Sequence, residues 1–298
     1  MPAQASAVEK GIRIVLSAII VGLVLIQSSW FFTAICLMAV AAFWAAATGH
    51  RREWLIWIAM LVGFALFADL RARMGPLVNP RPFYFYVIQL ETLGGLLGVP
   101  TTWLQENVQS SFLNTWGVLD AFLTAVYISF FITPQVVVVY LWRKGGPFPR
   151  YVAAACLFLT GALVVHFLLP TAPPWMAAEE GFIPEVERIG IGVLMATSET
   201  LTAGGYAASA NDVAAMPSVH LGFTVLPMIA MVSFMPRTRL TAWVYGLAML
   251  LAITYLGEHY AVDGVVGAAM AWGAWMVAGR LIRRGDRKED MPLSIEVQ

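Results

Sequence analysis

Eight apolar runs, at 12–28, 30–47, 53–70, 116–142, 151–169, 217–235, 239–256 and 260–280, are separated by charges, prolines and glycines along this 298-residue chain. A helix needs about 20 predominantly apolar residues to cross the hydrocarbon core, and lipid offers no partner to an unpaired backbone group. Runs of this number and length restrict the chain to an all-α, polytopic membrane bundle of about eight spans. Composition agrees: 59% of residues are hydrophobic and 12% charged, about half the charged share of a typical soluble domain. Only Gln27-Ser28-Ser29-Trp30 divides the first two runs, so one long helix over 12–47 is an alternative to two. No small-residue cleavage site follows the first run, which therefore reads as an uncleaved anchor.

The basic residues sort by side. With the N-terminus placed in the cytosol, fourteen fall inside (Lys10, Arg13, Arg51, Arg52, Arg143, Lys144, Arg150, Arg237, Arg239, Arg280, Arg283, Arg284, Arg287, Lys288) and four outside, Arg71, Arg73, Arg81 and Arg188. This positive-inside asymmetry predicts a cell-membrane protein with both termini cytoplasmic. Three parts are expected: two N-terminal membrane helices over 1–50, a six-helix catalytic core over 51–282, and a solvated cytoplasmic tail over 283–298. Within the core, the outer segment 82–115 carries Phe83-Tyr84-Phe85-Tyr86 and several leucines among Glu91, Gln105 and Glu106, predicting in part an amphipathic helix in the interface. The outer loop 170–216 is long enough to be functional. Cys36 and Cys156 both lie in apolar runs and read as buried reduced thiols.

Of the four histidines, His50 adjoins Arg51-Arg52, whereas His166, His220 and His259 all fall near outer ends of spans. Ionisable groups at membrane depth are functional candidates, because burial without purpose is costly. His220 follows Met216-Pro217-Ser218-Val219 at the start of the sixth span. Proline suits a first helical turn, and the amides and dipole of that turn, with the Ser218 hydroxyl, make an anion site. His259 and Asp263 open the eighth span four residues apart, on one helix face. A carboxylate so placed can hold one imidazole nitrogen protonated and leave the other as a nucleophile. An i, i+4 His–Asp pair is also a common structural hydrogen bond; the pairing of two such motifs at neighbouring outer ends favours catalysis. Metal binding by His220, His259 and Asp263 is the alternative, but no HExxH or Cys/His cluster is present, so no metal and no cofactor is expected.

These residues resemble the phosphatidic acid phosphatase type 2 superfamily, whose signature reads KxxxxxxRP, then PSGH, then SRxxxxxHxxxD. Here the second motif stands as Pro217-Ser218-Val219-His220, and half of the third as His259-Tyr-Ala-Val-Asp263. The resemblance implies His259 as nucleophile, Asp263 as its orienting partner, His220 as general acid and Ser218 as a donor to the phosphoryl group. Departures accompany it. The third motif's serine and arginine fall on Ala252 and Ile253, and the first motif aligns on His166-Phe-Leu-Leu-Pro-Thr-Ala-Pro173-Pro174, replacing its lysine and arginine. This pattern, with Asp69-Leu-Arg71, Pro100-Thr-Thr-Trp-Leu-Gln105 and Thr254-Tyr-Leu-Gly-Glu-His-Tyr260, is similar to the inositol phosphorylceramide synthase-like (inositolphosphotransferase-like) subgroup, whose fungal members move a phosphoinositol headgroup between lipids.

A transferring phosphoryl group needs fixed positive charge. Arg71, steered by Asp69, is expected to replace the missing clamp together with Arg81 or Arg73, with His166 assisting. The expected partners are a phospholipid or polyprenyl/sphingolipid-type phosphoester, an inositol or other alcohol acceptor, and membrane lipids; no nucleic acid is expected. Water as acceptor would make the protein a lipid phosphatase. A lipid transporter or flippase is the reading of another class, though no internal repeat supports it.

Overall fold

The computed structural model describes residues 51–74, 84–108, 117–197 and 211–289. The two N-terminal runs, Cys36, His50, Arg81 and the last residues of the tail lie outside the described residues. The regular secondary structure of the described residues is helical, and their β-pairing is an isolated parallel bridge between Thr171 and Ala214.

Eleven α-helices are described. They are α1 (Arg51–Met74), α2 (Tyr84–Glu91), α3 (Pro100–Val108), α4 (Val118–Ser129), α5 (Thr133–Arg143), α6 (Phe148–Leu168), α7 (Pro174–Glu179), α8 (Ile189–Thr197), α9 (Val219–Phe234), α10 (Arg239–Tyr255) and α11 (Ala261–Glu289). Three of them, α1, α6 and α11, are long and apolar enough to cross a membrane. Helices α4 and α5 form a fourth span bent by 46° at a short break, where Pro134 in the first turn of α5 withholds a backbone donor from the preceding turn. The expected spans at 217–235 and 239–256 fold as helices of 16 and 17 residues, shorter than the roughly 20 that a straight crossing needs. The turn at Met216–Ser218 leads into α9 and sets His220 in its first turn, and the turn at Leu256–Tyr260 carries His259. Helix α11, conversely, runs on to Glu289, well into the segment expected as tail.

Helices α6, α9 and α11 pack on one another, α1 lies against α6, and α10 closes the other side against α9 and α4. The core between them holds Trp57, Met60, Tyr151, Phe158, Phe223, Leu226 and Trp275, all buried. One close approach is decisive for the site. A Cβ on Gly267 would collide with the backbone carbonyl oxygen of Ser218, so glycine lets α11 lie directly on the turn that opens α9. Ser218 N–H in turn donates to the Asp263 carbonyl at 2.9 Å.

The segment 84–108 lies over the site end of the bundle. Its outward side chains, Phe85, Leu90, Leu93, Leu96, Leu97 and Trp103, are exposed, while Val87 and Val99 pack with Trp175, Met216 and Tyr260.

Candidate active site

Helices α9 and α11 begin side by side, and His220 in the first turn of α9 meets His259 in the turn just before α11. His220 Nδ1 stands 3.0 Å from His259 Nε2, and His259 Nδ1 stands 3.6 Å from Asp263 Oδ2. The three groups form a line, carboxylate to imidazole to imidazole. A carboxylate facing Nδ1 favours the tautomer protonated there and leaves His259 Nε2 with the lone pair; His220 Nδ1–H is then the donor between the rings. The backbone holds the line in place: His259 N–H donates to the Ile253 carbonyl at 3.0 Å, and Gly257 makes the preceding turn with φ +80°. A Cβ at Gly257 would also meet the Glu187 carbonyl at 2.7 Å.

Aromatic rings wall the pair. Tyr127 stacks on His220 with centroids 4.5 Å apart, and Phe130, at the α4–α5 break, lies 4.6 Å away. Asp263 does two jobs, since its Oδ2 also accepts the Tyr260 N–H at 3.0 Å, the return half of a capping box. The next two amides of α11, Ala261 and Val262, donate at 2.8 Å each to the two oxygens of Glu91, a buried carboxylate on α2.

Ser218 is fully buried as the N-cap of α9, its Oγ accepting the Leu221 N–H at 3.4 Å. His166, also buried, points Nε2 at the Pro217 carbonyl, 3.2 Å away, and so braces the turn before His220. Arg71 lies within electrostatic range of Tyr127, His166 and His220. Its Nη2 donates to the Asn211 carbonyl at 3.1 Å, and Asn211 Nδ2 returns a bond of 3.0 Å to the Arg71 carbonyl. Asp69 does not steer Arg71. Four residues along one helix face, it pairs with exposed Arg73 at 2.8 Å. At the position where the family carries its third-motif arginine, Ile253 is buried against Leu221 and Met249.

Three contributors were not singled out as site residues from the sequence. Arg188 makes a two-pronged pair with Glu258, at 3.2 and 3.1 Å, and its guanidinium lies 4.0 Å over the Trp175 ring. It shares electrostatic range of Tyr127 with Arg71. Gln105 donates from Nε2 to the Glu187 and Tyr255 carbonyls at 2.9 and 2.8 Å, and accepts the Glu187 N–H at 2.9 Å. It thereby ties the Arg188 loop to the turn leading to His259. Glu91 is the third. Each carried a partial signal: Arg188 was one of four outer cations, and Gln105 ended a stretch shared with the resembled subgroup. Among the described residues, no three His, Cys, Asp or Glu side chains are gathered so as to hold a metal ion.

Comparison with known proteins places the chain in a family by sequence. The sequence model of the PAP2 superfamily matches residues 101–277, which include all of α3 but its first residue and every residue of the histidine line. The chain is 26% identical over 176 residues to a phosphoinositol dihydroceramide synthase of Bacteroides thetaiotaomicron, covering 54% of this chain and 56% of the relative. It is 23% identical over 178 residues to the inositol phosphorylceramide synthase catalytic subunit of Schizosaccharomyces pombe, covering 56% of this chain and 42% of the relative. The matched region thus spans about half the length of either relative. No solved structure matches. With the family model covering more than half of its length, and with the motif histidines and aspartate of α9 and α11 side by side, the chain belongs to the PAP2 superfamily.

Proposed function

We propose that this protein is an integral membrane phosphotransferase that moves a phospho-headgroup between a lipid-linked phosphoester and an alcohol through a phosphohistidine on His259. The observation that carries the reading is the line from Asp263 through His259 to His220, built on two adjoining helix N-termini.

The chemistry follows from those atoms. His259 Nε2 attacks phosphorus while the bond from phosphorus to the leaving lipid oxygen breaks, and His220, entering the step as the imidazolium, gives that oxygen a proton and becomes neutral. The acceptor hydroxyl then attacks the phosphohistidine, the P–N bond breaks, and His220 takes the acceptor's proton. Asp263 stabilises the positive charge that His259 acquires in the first step. At 3.0 Å the two rings leave no room for a phosphoryl group between them, so substrate must part them as it enters. Arg71 and Arg188 supply the fixed positive charge, with Arg81 and the amides at the start of α9 assisting; Ser218 and His166 hold the α9 turn in shape.

Two supports favour transfer over hydrolysis. Both matched relatives are named as synthases of phosphoinositol-bearing ceramides, and a site with few cations suits a phosphodiester donor, which carries one charge fewer than a monoester. The basic-residue asymmetry supports cytoplasmic termini and an active site at the extracytoplasmic face. The test is purified protein with labelled phosphatidylinositol, with and without lipid or polyol alcohols. A new phosphodiester is the expected product. Free phosphate or phosphoinositol regardless of acceptor would identify a hydrolase, and no turnover of any donor would refute an enzyme.

A further inference from the structure

Glu91 occupies a place that its own helix does not explain. It is the last residue of α2, the end where the helix dipole disfavours a carboxylate. It is nonetheless buried, and its two oxygens are spent on consecutive amides of α11, 170 and 171 residues away in sequence. Thr92 locks the chain just after it, its Oγ1 donating to the Ile88 carbonyl at 2.7 Å and accepting the Gly95 N–H at 3.0 Å.

The first amides of a helix need acceptors. In α11 those of Tyr260, Ala261 and Val262 are met by two carboxylates, one oxygen of Asp263 for the first and both of Glu91 for the others. The Asp263 oxygen that caps Tyr260, Oδ2, is also the one that faces His259 Nδ1, while Oδ1 lacks a hydrogen-bond partner. Without Glu91, two unmet donors would lie next to the carboxylate that orients the nucleophile. A helix N-terminus draws the nearest negative charge, so Asp263 would be pulled from the imidazole toward Ala261 and Val262.

We propose that Glu91 is a positioning residue for the nucleophile: by satisfying the Ala261 and Val262 amides, it reserves Asp263 for His259. This rests on the phosphohistidine reading above for its catalytic consequence, and on hydrogen bonding alone for its structural one. The side chain that sets the His259–Asp263 pair therefore belongs to the interfacial segment, whose other face carries exposed Phe85, Leu93 and Leu96.

The experiment compares wild type, Glu91→Gln and Glu91→Ala as full chains in lipid nanodiscs. The glutamine variant keeps the side-chain volume and one acceptor oxygen, so the comparison survives if the alanine variant fails to fold. Hydrogen–deuterium exchange at residues 260–263 is expected to accelerate by about tenfold in Glu91→Gln, with α9 unchanged. With labelled phosphatidylinositol as donor, kcat is expected to fall by about tenfold while KM stays within about twofold, the signature of a lost orientation rather than lost binding. Unchanged exchange at 260–263 in both variants overturns the proposal, whatever the wild-type activity. Faster exchange with wild-type kcat overturns the positioning role. Faster exchange in a protein whose wild type turns over no phosphoester supports the brace and refutes the reaction instead.

Discussion

His220 Nδ1 and His259 Nε2 share a single hydrogen bond of 3.0 Å across two helices whose histidines are 39 residues apart. One ring must donate and the other accept, so the pair rests with its two nitrogens already divided into a proton carrier and a lone pair. That division is what double displacement requires.

The two rings are therefore expected to differ in mutation. His259→Ala removes the attacking nitrogen and should abolish turnover together with any acid-labile phosphoprotein. His220→Ala leaves the nucleophile and removes proton transfer, a loss of about 10²–10⁴-fold. Combining both substitutions should cost no more than His259→Ala alone, because the groups act as a unit. Rates with labelled lipid decide it, and a labelled phosphoprotein persisting in His259→Ala would refute the assignment.

Asp263→Asn keeps an acceptor for the Tyr260 amide but removes the charge that faces His259 at 3.6 Å. The helix start should survive while the imidazole loses its preferred tautomer. A triad aspartate replaced in this way costs about 10⁴-fold; the longer separation here suggests a loss of about 10²-fold or more in kcat with unaltered thermal stability. Equal losses of stability and rate would make Asp263 a structural cap only.

Much of this architecture is legible in the sequence, and what is not has a common cause. Apolar run length gives α1, α6 and α11, and motif spacing gives the His259–Asp263 half of the histidine line, because both depend on residues near in the chain. The bend between α4 and α5 follows from Pro134, whose effect is local, yet its consequence, Phe130 against His220, is a contact between distant elements. Glu91, Gln105 and Arg188 act on partners 170, 150 and 70 residues away, and no periodicity encodes such pairings. Asp69 shows the converse error. Next to Arg71 in a shared motif, it lies at i, i+4 from Arg73 and pairs there, as helix geometry favours.

Arg188 separates two roles. If its charge only neutralises partly buried Glu258, then Arg188→Gln should harm the protein and a second change, Glu258→Gln, should restore it. If it also stabilises the phosphoryl group, the double variant should fold normally and still lose about 10²-fold in kcat/KM, the effect of deleting one such donor. Arg71→Gln should behave like the double variant. Full recovery of activity in the double variant would remove Arg188 from the site.

Glycines of α11 offer a paired control on the α9–α11 contact. Gly267→Ala drives a methyl group into the Ser218 carbonyl, and backbone on both sides leaves little room to yield. Overpacking of this kind costs about 1–3 kcal/mol, and it should displace the Pro217–His220 turn and lower activity. Gly273→Ala meets nothing within 4 Å and should raise stability by up to about 1 kcal/mol through helix propensity. Thermal unfolding of the two variants gives the comparison; equal behaviour would mean the close approach is not needed.

Glu91 makes a prediction about pH that runs against the usual carboxylate. Burial raises its pKa above the ordinary 4.5; the Val262 and Ala261 donors oppose that shift, and the nearby Asp263 adds to it. Tyr260 is the other titratable neighbour that senses it. Because the folded protein holds this proton where the unfolded chain has released it, the group contributes stability that is fully present below pH 4.5 and is lost as pH rises through the folded value. Glu91→Gln has no such proton. The melting temperature of wild type minus that of Glu91→Gln should therefore grow as the pH is lowered from 7 toward 4.5. A difference that shrinks on acidification would mean that the two amide bonds outweigh burial and hold Glu91 below its ordinary value, making it a stabilising cap at neutral pH rather than a charge retained at a cost to stability.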